Sequence, residues 1–189
     1  MDDTLRRWTG LTADPSRILV VGGASLDVLH VAGRRVPSAG GAGLYTSLAA
    51  ARAGAKVTML APRPDPVPGP LAAADDVISW VGPAVGPDDL PRFEIAYSPE
   101  GDVIRFDTEM GAEPDLRPEL LDGIPDLPPM VFCVPFLDAG LQLEFVKDVS
   151  RRGLLAVANT YWCAVTNHRD VVRQTASTAD VFFCNEAEA

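Results

Sequence analysis

Gly40, Gly41 and Gly43 fall within four consecutive positions and open the segment GGAGLYTSLAAARAGAKV. Glycine lets the backbone approach a ligand or another segment with no Cβ in the way, and a helix starting there presents free N–H groups. Those groups suit hydroxyls as well as anions. The same residues also suit a tight turn into a closely packed helix, and on their own they leave both readings open. A phosphate loop of the form G-x-x-x-x-G-K-[ST] is excluded, because no lysine follows these glycines closely. A dinucleotide fingerprint needs G-x-G-x-x-G directly after the first strand. Here that strand runs into GGASLD, and the second glycine cluster comes about twenty residues later.

Other groups able to do chemistry are sparse. Asp27 follows the first apolar run, where a carboxylate holds a hydroxyl or shapes a turn. Asn185 and Glu188 stand three apart beyond the last apolar run, a spacing that serves a ligand or caps a helix start. Cys133, Cys163, Cys184 and His168 form no C-x-x-C or H-x-x-H pair, which argues against zinc, and no G-x-S-x-G elbow occurs. His30 sits in an alternating stretch and reads as surface.

Elements must hold these groups in place. Residues 17–22 (RILVVG) form a β-branched apolar run stopped by Gly22 and Gly23, which reads as a buried strand. Residues 28–36 are a second extended stretch with a turn at Gly33. Leu44, Leu48, Ala51 and Ala55 recur on one helical face, Gly54 suits the end of that helix, and residues 56–60 (KVTML) read as a strand. The proline-rich residues 61–70 (APRPDPVPGP) continue neither element. Residues 77–81, 92–97 and 103–106 read as short strands, the last two as a hairpin, so this section is expected to be antiparallel. Residues 130–135 are a strand. Asp138 then caps a helix running to residue 152, with Leu141, Phe145 and Val149 at spacing four. A strand over 154–159, a helix over 168–178 and a strand over 180–184 complete the α/β rhythm. Doubly wound proteins send a helix back over the sheet after such a strand, so continuation past Ala189 is expected.

The 189 residues are 47% hydrophobic, enough for one sizeable core. Net charge is −10, with 16 basic against 26 acidic residues, which excludes electrostatic attraction to nucleic acid or an anionic membrane as a working hypothesis. The chain has no apolar stretch long enough to span a bilayer, and residues 1–16 read as a polar lead-in rather than a targeting signal. Three cysteines are too few for a disulfide framework and read as buried free thiols in a reducing cytoplasm.

Taken in order, VVGGASLD, GGAGLYTSLAAARAGAKV and ADVFFCNEAEA resemble the ribokinase/PfkB family of carbohydrate kinases, across residues 17–189. The resemblance implies an α/β, ribokinase-like fold. It consists of a mainly parallel, doubly wound sheet with a small antiparallel β lid from about residues 28–37 and 91–107, its C-terminal part missing. It also implies ATP-dependent phosphorylation of a hydroxyl on a sugar or nucleoside-like small molecule, with ATP and Mg²⁺ as cofactors. Gly22 and Asp27 match the family's G-x-x-x-x-D, whose acid holds a substrate hydroxyl. Gly40 and Gly41 match the Gly-Gly pair that lines the sugar pocket. Asn185 and Glu188 match the N-x-x-E motif that organises magnesium and the nucleotide phosphates, Glu188 acting indirectly on the metal.

The departures are specific. Tyr45 stands where the family often has a sugar-contacting asparagine, and an aromatic ring there stacks on a sugar or base or fills the space. The proline-rich residues 61–70 replace a glycine-aspartate-aspartate segment, and the 154–159 strand lacks an aspartate near its end. The G-A-G-D motif that carries the catalytic base does not occur. Its only near match, Gly111-Ala112-Glu113, falls in the lid region. The chain is therefore expected to supply the acceptor-binding part of a kinase and to be inactive alone. The alternative is a non-catalytic ligand-binding or regulatory protein on the same fold. Lid strands of this kind can pair between subunits, which makes a second copy of the chain the expected macromolecular partner.

Overall fold

The computed structural model describes residues 17–189, and the lead-in expected over residues 1–16 lies outside the described residues. In chain order the first elements are β1 (Arg17–Val21), β2 (Ser25–Val31), β3 (Arg34–Gly40), α1 (Ala42–Arg52), β4 (Lys56–Leu60) and β5 (Arg63–Pro64). They are followed by α2 (Gly69–Asp75), β6 (Ser79–Val81), β7 (Ala84–Val85), β8 (Arg92–Tyr97), β9 (Val103–Glu109) and β10 (Met130–Cys133). The last are α3 (Ala139–Arg151), β11 (Leu155–Asn159), α4 (Trp162–Asn167), α5 (Arg169–Thr178) and β12 (Val181–Phe183).

Six strands form one parallel sheet in the order β12-β11-β10-β1-β4-β6. Strand β1 lies inside it, with Leu19 opposite Val131 on one side and Thr58 on the other. A strand with neighbours on both sides and helices on both faces must be apolar throughout, which is why Leu19, Val20 and Val21 are all fully buried. Alternate residues feed separate cores. Leu19 and Val21 pack with Phe145, Val146 and Val149 of α3, whereas Ile18 and Val20 pack with Leu44 of α1 and Leu71 of α2. The Asp138 side chain accepts from the Gly140 N–H at 2.8 Å and starts α3 as its position predicts.

The lid is a second sheet in the order β3-β2-β8-β9. Its hairpins β2–β3 and β8–β9 are antiparallel, but β2 and β8 pair in parallel, so the lid is mixed rather than purely antiparallel. The extended stretch expected over 28–36 with a turn at Gly33 is a tight hairpin, Ala32 and Gly33 holding positive φ between the strands.

Three further expectations need correction. Strand β6, grouped by its short length with the antiparallel section, is the parallel edge of the main sheet beside β4. The prolines of residues 61–70 do not exclude structure: β5 pairs with β7, and α2 begins at Gly69 with Pro70 in its first turn, where the missing N–H costs nothing. Of the three cysteines only Cys133 is buried, Cys163 being half-buried and Cys184 exposed. Helix α4, which the periodicity did not announce, is a single short stretch bridging β11 to α5.

Candidate functional site

Strands β4 and β6 extend the sheet from one side of β1, and β10, β11 and β12 from the other. The strand order therefore reverses between β1 and β10, and the connections leaving their carboxyl ends diverge. Such a divergence opens a crevice at the strand ends, the usual ligand position in open parallel sheets. A cavity of ≈ 220 Å³ lies there, room for a small molecule. The turn after β1 supplies Gly23 and Ala24, the first residue of β2 supplies Ser25, and the start of α1 supplies Gly41 and Ala42. The loop after β10 adds Phe136 and Leu137, and the end of β11 adds Asn159, Thr160 and Tyr161. Phe93 and Phe106 close it from the lid, their ring centroids 5.6 Å apart.

The glycine cluster serves both readings left open by the sequence. The Gly43 N–H donates to the Gly23 carbonyl at 3.1 Å, so the start of α1 rests directly on the β1–β2 turn. A Cβ at Gly43 would lie 1.9 Å from the Gly22 carbonyl oxygen, and Gly41 holds φ at 101°. Close packing is thus the reason for Gly43, while Gly41 also forms cavity wall.

The remaining sequence-derived residues are distributed more widely. Asp27 lies on β2 with its carboxylate against Gly40, where a Cβ would approach Oδ2 to 1.8 Å. It lines an adjoining groove of the lid with Arg35, Arg92 and Pro68. Burial pushes the Asp27 carboxyl above the usual range, partly opposed by the Ser25 hydroxyl and the Phe93 N–H beside it. Its Oδ1 is buried and accepts no hydrogen bond among the described residues. Tyr45 is 59% exposed, its hydroxyl donates to the Ala39 carbonyl at 2.9 Å, and it borders a separate surface groove with Leu48, Arg52 and Val77. Asn185 and Glu188 form a reciprocal pair: the Asn185 N–H donates to Glu188 Oε2 and the Glu188 N–H to Asn185 Oδ1, both at 3.0 Å. This is the geometry of a capping box, which occupies the groups otherwise free for a nucleotide or a metal. No group of three or more His, Cys, Asp or Glu side chains is placed to hold a metal among the described residues, so the residues present do not by themselves fit a protein-held Mg²⁺.

The residue that sequence reasoning passed over is Glu113. It follows β9 in a short 3₁₀ turn and is only 5% exposed. Its Oε1 accepts from the Leu137 N–H at 2.6 Å and, at the longer 3.4 Å, from the Asp138 N–H. Burial pushes its carboxyl up to about 7, against the lowering effect of those two N–H groups. The one signal in the sequence was the Gly111-Ala112-Glu113 near match to G-A-G-D, which says nothing about which side of the lid the acid faces. A folded value above the unfolded 4.5 means that the native protein binds more protons than the unfolded chain between those two pH values. Stability from this group is therefore fully present below about pH 4.5 and lost as pH rises to about 7. Denaturant melts of wild type at pH 5 and pH 7.5 should differ by roughly 2 kcal/mol on this account. Glu113→Gln should remove that difference, and a pH dependence identical in the two proteins would contradict the assignment.

No helix is long and apolar enough to cross a membrane among the described residues. No protein-family model matches the chain, and no curated protein matches it in sequence. Solved structures do match. A ribokinase from Giardia lamblia superposes with TM-score 0.71 at 17% identity over 93% of this chain and 58% of its own. A nucleoside kinase from Burkholderia thailandensis in complex with inosine gives 0.69 at 12% identity over 91% and 61%. A PfkB family carbohydrate kinase from Listeria grayi gives 0.63 at 13% identity over 90% and 61%. The chain therefore has the ribokinase-like fold of these carbohydrate and nucleoside kinases and spans about three-fifths of their length.

Proposed function

We propose that this chain is the acceptor-binding part of an ATP-dependent kinase that phosphorylates a hydroxyl of a sugar or nucleoside-like small molecule in the cytoplasm. The observation that carries the proposal is the cavity at the reversal of strand order, roofed by Phe93 and Phe106 of the lid and floored by Gly41 at the start of α1. Its size and position suit a small acceptor. Asp27, Gly40, Gly41 and Tyr45 are assigned to the acceptor side, and Asn185 and Glu188, beyond the carboxyl end of β12, to the side of the nucleotide. When bound, Mg²⁺ would neutralise phosphate charge. This chain's residues bind and orient the acceptor and keep water from it. The exposed Val103 and Ile104 on β9, the outer strand of the lid, suit pairing with a second copy of the chain.

The second reading is a ligand-binding protein without catalysis. The mutual engagement of Asn185 and Glu188 and the outward position of Tyr45 favour it. The two share the acceptor pocket and differ in ATP consumption.

Asp27, in the lid groove adjoining the cavity, provides the test of the acceptor side. Its Oδ1 has no donor, and a ligand hydroxyl would supply one. Asp27→Ala is expected to weaken binding of the best ligand from a sugar and nucleoside panel by about tenfold or more in calorimetry, equivalent to ~1.4 kcal/mol. Unchanged affinity across the panel would remove Asp27 from the acceptor site.

A further inference from the structure

Glu113 uses only half of its carboxylate on the protein. Oε1 is tied to the Leu137 and Asp138 N–H groups, whereas Oε2 accepts no hydrogen bond among the described residues and the side chain lines the cavity. A second polar group lies nearby with no protein partner. Thr160 is only 7% exposed, lines the same cavity, and its Oγ1 has no partner among the described residues. Around them the wall is aromatic, from Phe93, Phe106, Phe136 and Tyr161. Buried polar atoms are costly unless paired, so an apolar cavity holding the buried, unpaired Thr160 hydroxyl beside a carboxylate oxygen with no protein donor favours the ligand that completes it. Flat apolar walls take a ring, and a carboxylate oxygen takes a donor.

We propose that Glu113 is a specificity-determining residue of the acceptor cavity, where its free oxygen accepts a hydrogen bond from an amino group carried on a ring of the ligand. The inference rests on the acceptor reading above and goes beyond it by naming the group that is recognised. A ligand without that donor leaves the carboxylate buried and unpaired, which is how a polar site rejects an isostere. The titratable groups facing Glu113 are the Asp138 carboxyl at the start of α3, whose charge raises its pKa, and Tyr161 after β11. Burial first, and then the Asp138 charge, disfavour the ionised form of Glu113 until a donor arrives, while Tyr161 is neutral there, its own phenol raised by burial and by the neighbouring charges of Cys163 and Glu113.

Adenosine and purine riboside differ only in the exocyclic amino group and form a suitable pair of probes. Calorimetry on the chain at pH 8 is expected to show at least tenfold tighter binding of adenosine. In Glu113→Gln the amide oxygen keeps the Leu137 N–H and turns its NH₂ toward the ligand. Adenosine should then fall to the level of purine riboside, in a protein shown by its melt to be folded. Wild type offers a readout that needs no variant: with the carboxyl titrating near 7, adenosine affinity should rise about tenfold from pH 6 to pH 8 and that of purine riboside should not. Equal affinities for the two probes, or a flat adenosine profile, overturn the role of Glu113 and leave the acceptor pocket standing. Failure of both probes to bind wild type overturns the pocket reading and this inference with it.

Discussion

Gly43→Ala is expected to destabilise the protein by about 3 kcal/mol, the upper range for forcing atoms into a filled interior. The new methyl would sit 1.9 Å from the Gly22 carbonyl oxygen and 2.4 Å from its carbon. Both are backbone atoms of the turn that leaves β1, so neither can rotate away as a side chain would. Helix α1 would have to lift from the turn, breaking the 3.1 Å bond from the Gly43 N–H to Gly23 and displacing Gly41 from the cavity wall. Stability and ligand binding should therefore fall together. Gly69→Ala, at the start of α2, is the control. A Cβ there meets nothing within 4 Å, and its φ is not in the left-handed region, so its urea midpoint should stay within about 0.5 kcal/mol of wild type. Equal shifts in the two variants would show that the close approach of α1 to the β1–β2 turn is not what these glycines provide.

The second large effect is expected at Phe145. This residue is fully buried on α3, and its ring stacks on Phe136 with centroids 5.7 Å apart and planes at 13°. Removal of a phenyl ring from a closed core costs about 4 kcal/mol, the transfer loss plus the cavity left behind. Phe136 also lines the cavity at the reversal of strand order, so Phe145→Ala should loosen that wall as well as the core. The contrast is Phe106→Ala. That ring is 43% exposed on the lid and faces the same cavity, so its loss should leave the denaturation midpoint nearly unchanged and weaken ligand binding. A Phe145→Ala protein with the wild-type midpoint would mean that α3 does not close the core as described.

How far the fold was legible depended on the range of the signal. Strands β1, β4 and β8 were readable because each is a short apolar or alternating run between glycine and proline stops, a pattern confined to a few residues. Helix α3 was readable with its cap, since the Asp138 carboxylate answers to an N–H only two residues away. The glycine start of α1 was readable too, although only as a choice between turning and binding. In each case the information lies within one or two turns of chain.

The rest needed partners distant in sequence. Strand β6 carries no mark of its own that assigns it to the main sheet; its place follows from pairing Met59 with Trp80. Asp27, Gly40, Gly41 and Tyr45 are all close in sequence to the cavity wall, but the pleat of β2 and the turn of α1 decide which of them faces it, and only Gly41 of that set does. Glu113 shows the limit most clearly. As a letter in GAE it is an unremarkable lid acid, and it becomes a carboxyl titrating near 7 because folding brings the Leu137 N–H, from beyond β10, within 2.6 Å and removes its water. Local sequence determined the elements, their order and the chemistry on offer. Which of those groups share one small, dry space was decided by tertiary structure alone, because burial and side-chain direction depend on contacts between residues far apart in the chain.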